Sequence, residues 1–205
     1  MNDQQIRDGF HHKYLRKYQG DSKTIVIDEL GLHHGRCRAD IAVINGQLIG
    51  YEIKSDVDSL RRLDNQIASY DAVFDRTHII ATPRHLIDVT TMIPDWWGVI
   101  SAGEGKRGAV HFRTIRNSKN NPGVSDYAIA QLLWRNEAQE ILRNLGVHGQ
   151  RLRERREYLY GYIVSDLNSA ALRKTVRDYL MKRTNWRYPL PPVQGDGLCQ
   201  PNATL

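Results

Sequence analysis

Arg38-Ala39-Asp40-Ile41-Ala42-Val43-Ile44-Asn45-Gly46-Gln47-Leu48-Ile49-Gly50-Tyr51-Glu52-Ile53-Lys54 is the stretch that decides the fold of this chain. It reads as two strands, 39–44 and 48–54, on either side of Asn45-Gly46, a strong hairpin signal. The register of that hairpin decides whether its acids meet. A two-residue loop at Asn45-Gly46 would set Asp40 against Tyr51 and leave Glu52 on the opposite face. A three-residue loop sets Asp40, Glu52 and Lys54 on one face and gathers Ile41, Val43, Ile49, Tyr51 and Ile53 on the other. A slip of one residue moves a strand's whole apolar set, so the undivided apolar cluster predicts the three-residue loop. Two carboxylates then converge beside a lysine. Such a set can hold a hard divalent cation and steady an anionic phosphate or an attacking hydroxide.

A helix is predicted to follow at 56–75, capped by Ser55 or Asp56, with Leu60, Leu63, Ile67 and Phe74 as its apolar stripe. Asp58, Arg62, Gln66 and Tyr70, spaced four apart, form a polar stripe beside it. That stripe either reaches the acids or is a solvated helix face. Further out, 4–19 reads as a helix on Ile6, Phe10, Tyr14 and Leu15, and 24–28, 78–81, 97–101 and 109–115 as strands. Asn117–Gly123 is a polar linker with a Pro122-Gly123 turn. Beyond it the pattern is helical at about 126–145, 152–164 and 169–183, with Ser125 and Ser169 as N-caps and Gly146 and Gly161 as stops. The expected class is α/β: a nuclease-like core over residues 1–120, a helical C-terminal region over 121–187 that contacts nucleic acid or a partner, and a loose tail over 188–205.

The residues of the opening stretch resemble the PD-(D/E)XK nuclease superfamily. Arg38-Ala39-Asp40 is followed after eleven residues by Glu52-Ile53-Lys54, with Ala39 standing where the proline of that signature would be. Gln66-Ile67-Ala68-Ser69-Tyr70 is similar to the QxxxY motif of the RecB-like branch, and Glu29 to an upstream glutamate that helps bind metal in some members. Gly50–Asp56 and Leu60-Arg61-Arg62-Leu63 look closer still to a poorly characterised bacterial family within that superfamily, with a weaker likeness at Leu133–Glu137 and Arg183–Trp186. The resemblance implies a restriction-endonuclease-like core, a mixed β-sheet flanked by helices. It implies Mg²⁺ or Mn²⁺ held by Asp40, Glu52, the Ile53 carbonyl and Glu29. Lys54 would position or deprotonate the attacking water. Gln66, Tyr70, Arg62 and Arg38 would support the site or touch nucleic acid, DNA being the expected substrate.

Other features have simpler readings. His33-His34 with Cys37 falls short of the four ligands of a structural zinc site. Gly103–Gly108 lacks the spacing of a phosphate loop. Trp96, Trp97 and Trp134 are either core residues or platforms for bases. The net charge is +6 with a pI near 9.4, and most of the excess lies beyond residue 120, including Arg151, Arg153, Arg155 and Arg156. A basic surface favours polyanions, but Glu154 and Glu157 interleave that run and also allow a solvated helix face. The sequence shows no membrane-length apolar run and no signal-peptide pattern, and two distant cysteines make no disulfide framework. The expected compartment is the cytoplasm. A homodimer or a partner protein stays open. So does a second class of function, a nucleic-acid-binding or adaptor protein that keeps the fold without cutting, and a third, a toxin or defence effector using the same chemistry.

Overall fold

The computed structural model describes residues 1–183; the tail expected over 188–205 lies outside them, as do Trp186 and Cys199. The fold is a six-stranded mixed sheet flanked by helices, with a helical C-terminal part. The strands run β1 (Ile25–Leu32), β2 (Cys37–Ile44), β3 (Leu48–Lys54), β4 (Arg76–Ala81), β5 (Gly98–Glu104) and β6 (Val110–Arg116), and lie in the sheet in that order. The β3–β4 and β4–β5 pairs are parallel, and the others antiparallel. The parallel pairs need crossovers, and these are α2 (Leu63–Val73) and α3 (Leu86–Met92).

The β2–β3 hairpin has the three-residue loop. Ile41 pairs with Tyr51, Val43 with Ile49 and Ile44 with Leu48. Asn45 N–H closes the loop onto the Gln47 carbonyl, and Gly46 sits at φ 64°, a left-handed conformation that glycine adopts without strain. Ile41, Val43, Tyr51 and Ile53 accordingly share one apolar layer with Ile6 and Phe10 of α1 (Asp3–Phe10). On the other face, Ala42, Ile44 and Leu48 join Leu63, Tyr70 and Val73 of α2. This second layer continues without a break into α4 (Asp126–Ala130), α5 (Arg135–Asn144), α6 (Arg156–Asp166) and α7 (Ser169–Lys182). The linker is pinned as well: the Asn121 side chain donates to the Asp71 and Phe74 carbonyls, and Ser125 N–H to Ala72.

Several boundaries differ from the sequence reading, each for a local reason. The helix expected from 56 begins at Leu63, because Asp58 accepts hydrogen bonds from both the N–H and the hydroxyl of Ser55 (2.7 and 2.6 Å) and holds a loop there instead. The first helix gives way at His11 to a wider π-helical turn and then a 3₁₀ turn. Helix 126–145 is two helices. They part at Leu132–Trp134, where the Leu133 carbonyl accepts from the buried Tyr160 hydroxyl and Trp134 N–H donates to Glu137. Gly161 lies inside α6, and α7 is capped by Asn168, with Ser169 as its first residue. Ser125 and Gly146 act as predicted, the first capping α4 and the second ending α5 at φ 84°.

β4 carries a partly buried titratable group. His78 stacks on Tyr51 (centroids 4.9 Å apart) and lies against Gly98, where a Cβ would come within 2.3 Å of the ring. Burial, and then Arg76, push the His78 pKa down to about 4. The unfolded chain therefore binds this proton first as pH falls. Stability conferred by neutral His78 is complete above about pH 6.5 and lost as pH drops towards 4, by roughly 3 kcal/mol in all. Urea titrations across that window should show the loss, and His78→Phe should flatten it.

Candidate functional site

Glu29 and Asp40 face each other where the β1–β2 ladder becomes irregular. Asp28 pairs with Ile41 and Leu30 with Ala39, but the flanking ladder skips the pair between them. Ile25 and Ile27 point into the helix-covered layer, and so do Leu30 and Leu32, so strand alternation slips by one at Glu29. Glu29 takes up the slip with φ 57°, a left-handed conformation that costs a non-glycine residue about 1–2 kcal/mol. Backbone strain of this kind collects at functional sites. β2 slips at the same level, with Cys37 and Ala39 in the layer that also holds Ala42 and Ile44.

Asp40 thus leaves the ladder at the fork between β2 and β3. One residue beyond the Ile41–Tyr51 pair, it stands opposite Glu52. Its Oδ2 accepts from Ile53 N–H (2.7 Å). A strand residue presents its N–H and carbonyl to the same edge, so the Ile53 carbonyl is directed to this fork too. The carboxylate therefore sits between the two layers rather than on the Glu52 face alone.

Glu52 and Lys54 point towards α2 and are nearly closed to solvent (1% and 6% exposed). Lys54 Nζ donates to Glu52 Oε1 and to Gln66 Oε1, both at 2.8 Å. The Gln66 amide donates to Glu52 Oε1. Tyr70 hydroxyl donates to Glu52 Oε2 (2.6 Å) and accepts from Asp40 N–H (3.1 Å). Gln66 and Tyr70 are buried parts of this network, so the solvated-face reading of that pair does not hold. Burial opposes the charge of Lys54, yet Glu52 and Asp40 outweigh it and raise its pKa. Burial, and then the Glu52 charge, hold the Asp40 pKa well above the usual carboxylate range, against the pull of Arg7.

Arg7 was not singled out from the sequence. It enters from α1 on the other layer and is only 9% exposed. Its guanidinium bonds the Asp40 carbonyl and lies 2.9 Å from Glu29, 3.3 Å from Asp3, 3.5 Å from the Asp40 carboxylate and 3.9 Å from Asp28. The one trace in the sequence is its spacing with Phe10 and Tyr14, which puts a cation on a core-facing stripe. Glu29 is bridged, with Oε1 to Arg7 and Oε2 to Arg38 at 3.2 Å; burial raises its pKa against both arginines. Arg62, half-buried, precedes the first turn of α2, and Asp58 lies in the loop before it, so neither belongs to a helical stripe with Gln66.

The donor set fits a magnesium-like ion better than an all-protein cage. Among the described residues, no three of His, Cys, Asp and Glu converge on one point. Mg²⁺ keeps several waters and takes one or two carboxylates. Asp40, the remaining lone pair of Glu52 Oε2 and the Ile53 carbonyl are what the fork offers. Among the described residues His33, His34 and Cys37 are not gathered into a ligand set: His33 bonds Gln131, His34 stacks on Tyr160 and Cys37 is buried. Trp97 is core, whereas Trp134 is 44% exposed. No described helix is long and apolar enough to cross a membrane.

A family model described as bacteriophage P4 protein cII matches residues 10–188, which take in the whole sheet and helices α4 to α7. Protein cII of Enterobacteria phage P4 is 28% identical over 126 residues, covering 62% of this chain and 47% of that protein. The chain spans about half the length of the curated relative it matches. No solved structure matches.

Proposed function

The chain belongs to the bacteriophage P4 protein cII family, and for this member we propose a metal-dependent nuclease, acting on DNA, with a restriction-endonuclease-like core of the PD-(D/E)XK type. The observation that carries the reading is the buried network in which Lys54, Gln66 and Tyr70 converge on Glu52, with Asp40 opposite at a strand fork. Apolar burial alone gives no reason to place two carboxylates and a lysine there, since burying a charge is costly unless it is paired. Asp40, Glu52 and the Ile53 carbonyl would hold Mg²⁺ or Mn²⁺. The ion would supply a more acidic bound water and charge stabilisation at the phosphate. Lys54 carries a positive charge next to both acids, where it can orient a nucleophile or offset phosphate charge. Gln66 fixes Lys54, and Tyr70 fixes Glu52 and the Asp40 backbone. Glu29, tied on both oxygens to arginines, serves as a positioning group for Arg7 and Arg38 in this reading.

A non-catalytic nucleic-acid-binding protein is the second reading. It draws on the near-saturation of Glu52, whose oxygens already take three hydrogen bonds. A cleavage assay separates the two. Supercoiled plasmid, linear duplex, single-stranded DNA and RNA are incubated with Mg²⁺, Mn²⁺ or EDTA beside Glu52→Gln. Metal-dependent cutting that the variant lacks is expected, and its substrate preference names the nucleic acid. Intact substrates in every wild-type lane, with binding retained, would replace the first reading by the second.

A further inference from the structure

Beyond the fork, the start of β2 and the turn before it carry a second feature. Arg38 lies two residues from Asp40, about 7 Å along an extended strand, and Arg36 closes the turn that leads into β2. Arg36 is exposed at the turn of the β1–β2 hairpin. That turn abuts the C-terminal helices: the His34 ring stacks on Tyr160 of α6 at 5.4 Å, and His33 bonds Gln131. Burial, and then the Arg156 charge, lower the His34 pKa, with Glu157 opposing and Arg36 adding a smaller push, so both arginines contribute positive potential at this ring. Arg156 opens α6, and Arg155, Arg153 and Arg151 precede it in the chain, all exposed. A 3₁₀ turn, Gly149–Arg153, holds this segment, with the Arg153 carbonyl bonded by Arg135 and the Leu152 carbonyl by Gln139.

The interleaved acids do not cancel this charge. Glu154 is engaged by the Tyr162 hydroxyl, and Glu157 lies 3.5 Å from Arg156, an exposed and solvent-screened pair. Five guanidiniums, Arg36, Arg151, Arg153, Arg155 and Arg156, face two carboxylates. Tyr158, 59% exposed, follows them two residues after Arg156 in the first turns of α6. An exposed aromatic ring next to a run of exposed arginines suits a nucleic-acid strand, whose bases stack while its phosphates pair.

We propose that the cleavage site continues into a phosphate-backbone track that runs from Arg38 through Arg36 to Arg156, Arg155, Arg153 and Arg151, so that the C-terminal helices grip the nucleic acid that the fork cuts. The track rests on the nuclease reading for its origin at Asp40, but its chemistry is that of backbone binding and is independent of cleavage.

The test uses the full chain with Glu52→Gln, so that the probe survives, and a fluorescein-labelled DNA duplex or single strand titrated at several salt concentrations. Arg151→Gln, Arg153→Gln, Arg155→Gln and Arg156→Gln are combined in one variant. A control variant removes four exposed charges elsewhere: Arg16→Gln, Lys17→Gln, Lys23→Gln and Lys174→Gln. Each phosphate contact contributes roughly 0.9 to the slope of log affinity against log salt. The track variant is expected to flatten that slope by about 2 to 3 and to bind at least tenfold more weakly at low salt, while the control keeps the wild-type slope. Equal flattening in both variants reduces the effect to net charge and overturns the track; so does an unchanged slope in the track variant, or the absence of salt-dependent binding before any arginine is changed. Salt-dependent binding through the track by a wild type that never cuts would sink the nuclease reading alone.

Discussion

Under the proposed nuclease reading, Asp40→Asn is expected to abolish cleavage and, in EDTA, to raise the melting temperature. Both effects come from one cause. Burial and the Glu52 charge hold the Asp40 pKa above the usual carboxylate range, so at neutral pH the ionised group is less comfortable folded than unfolded. The sign follows. Below the unfolded-state pKa Asp40 is neutral in both states and costs nothing; as pH rises through the raised folded-state value, stability is lost. Asparagine removes that loss while its carbonyl oxygen still accepts the Ile53 N–H. A gain of about 1 kcal/mol, or about 2–4 °C, is expected. Cleavage should fall by at least about a thousandfold, because in the proposed mechanism the site would supply charge stabilisation at the phosphate. Mn²⁺ should reverse the order: bound at the proposed site it would stabilise the wild-type fold by mass action and leave Asp40→Asn unmoved. Melting curves with and without Mn²⁺ read both arms. A variant that melts lower in EDTA, or gains as much from Mn²⁺ as the wild type does, would remove Asp40 from the metal site.

Much of this frame is legible in the residues, and the reason is periodicity. Six strands alternate or run apolar between turn signals, and the apolar residues of β2 and β3 admit one register. Hence the facing of Asp40 and Glu52 follows from where Ile41, Val43, Tyr51 and Ile53 must go. Gln66 and Tyr70 are legible as a pair, but their burial against Glu52 depends on where α2 lies across the sheet. The rest depends on contacts remote in sequence. No glycine or proline marks the slip at Glu29, so nothing local announces that Asp40 drops into the fork. Ser55 is a good helix cap whose partner turned out to be Asp58. α3 is two turns long and too short for a periodic signal. The break at Leu132–Trp134 is made by Tyr160 and Glu137, the former from another helix.

Arg7 is the residue whose loss should cost the fold most. Its guanidinium is shared by Glu29, Asp3, Asp28 and Asp40. Burial works against its charge, and these acids outweigh it, raising its pKa. Arg7→Met keeps most of the stem that packs beside Ile6 and Phe10 but strands the acids around an uncharged neighbour. Removing one partner of a buried ion pair costs about 3–5 kcal/mol, a large part of the roughly 5–15 kcal/mol that holds a domain together, so the melting temperature should drop by about 10 °C. Arg7→Lys should recover only part of this, since one ammonium cannot bond the Asp40 carbonyl and the Glu29 carboxylate as a planar fork does. A lost ion network differs from a lost packing contact in how it couples. Adding Glu29→Gln to Arg7→Met removes a repelling charge, so the double variant should be more stable than Arg7→Met alone by 1 kcal/mol or more, a coupling within the range found for contacting charges. Strictly additive losses across that cycle would make Arg7 a packing residue and leave Glu29 and Asp40 held by the strands alone.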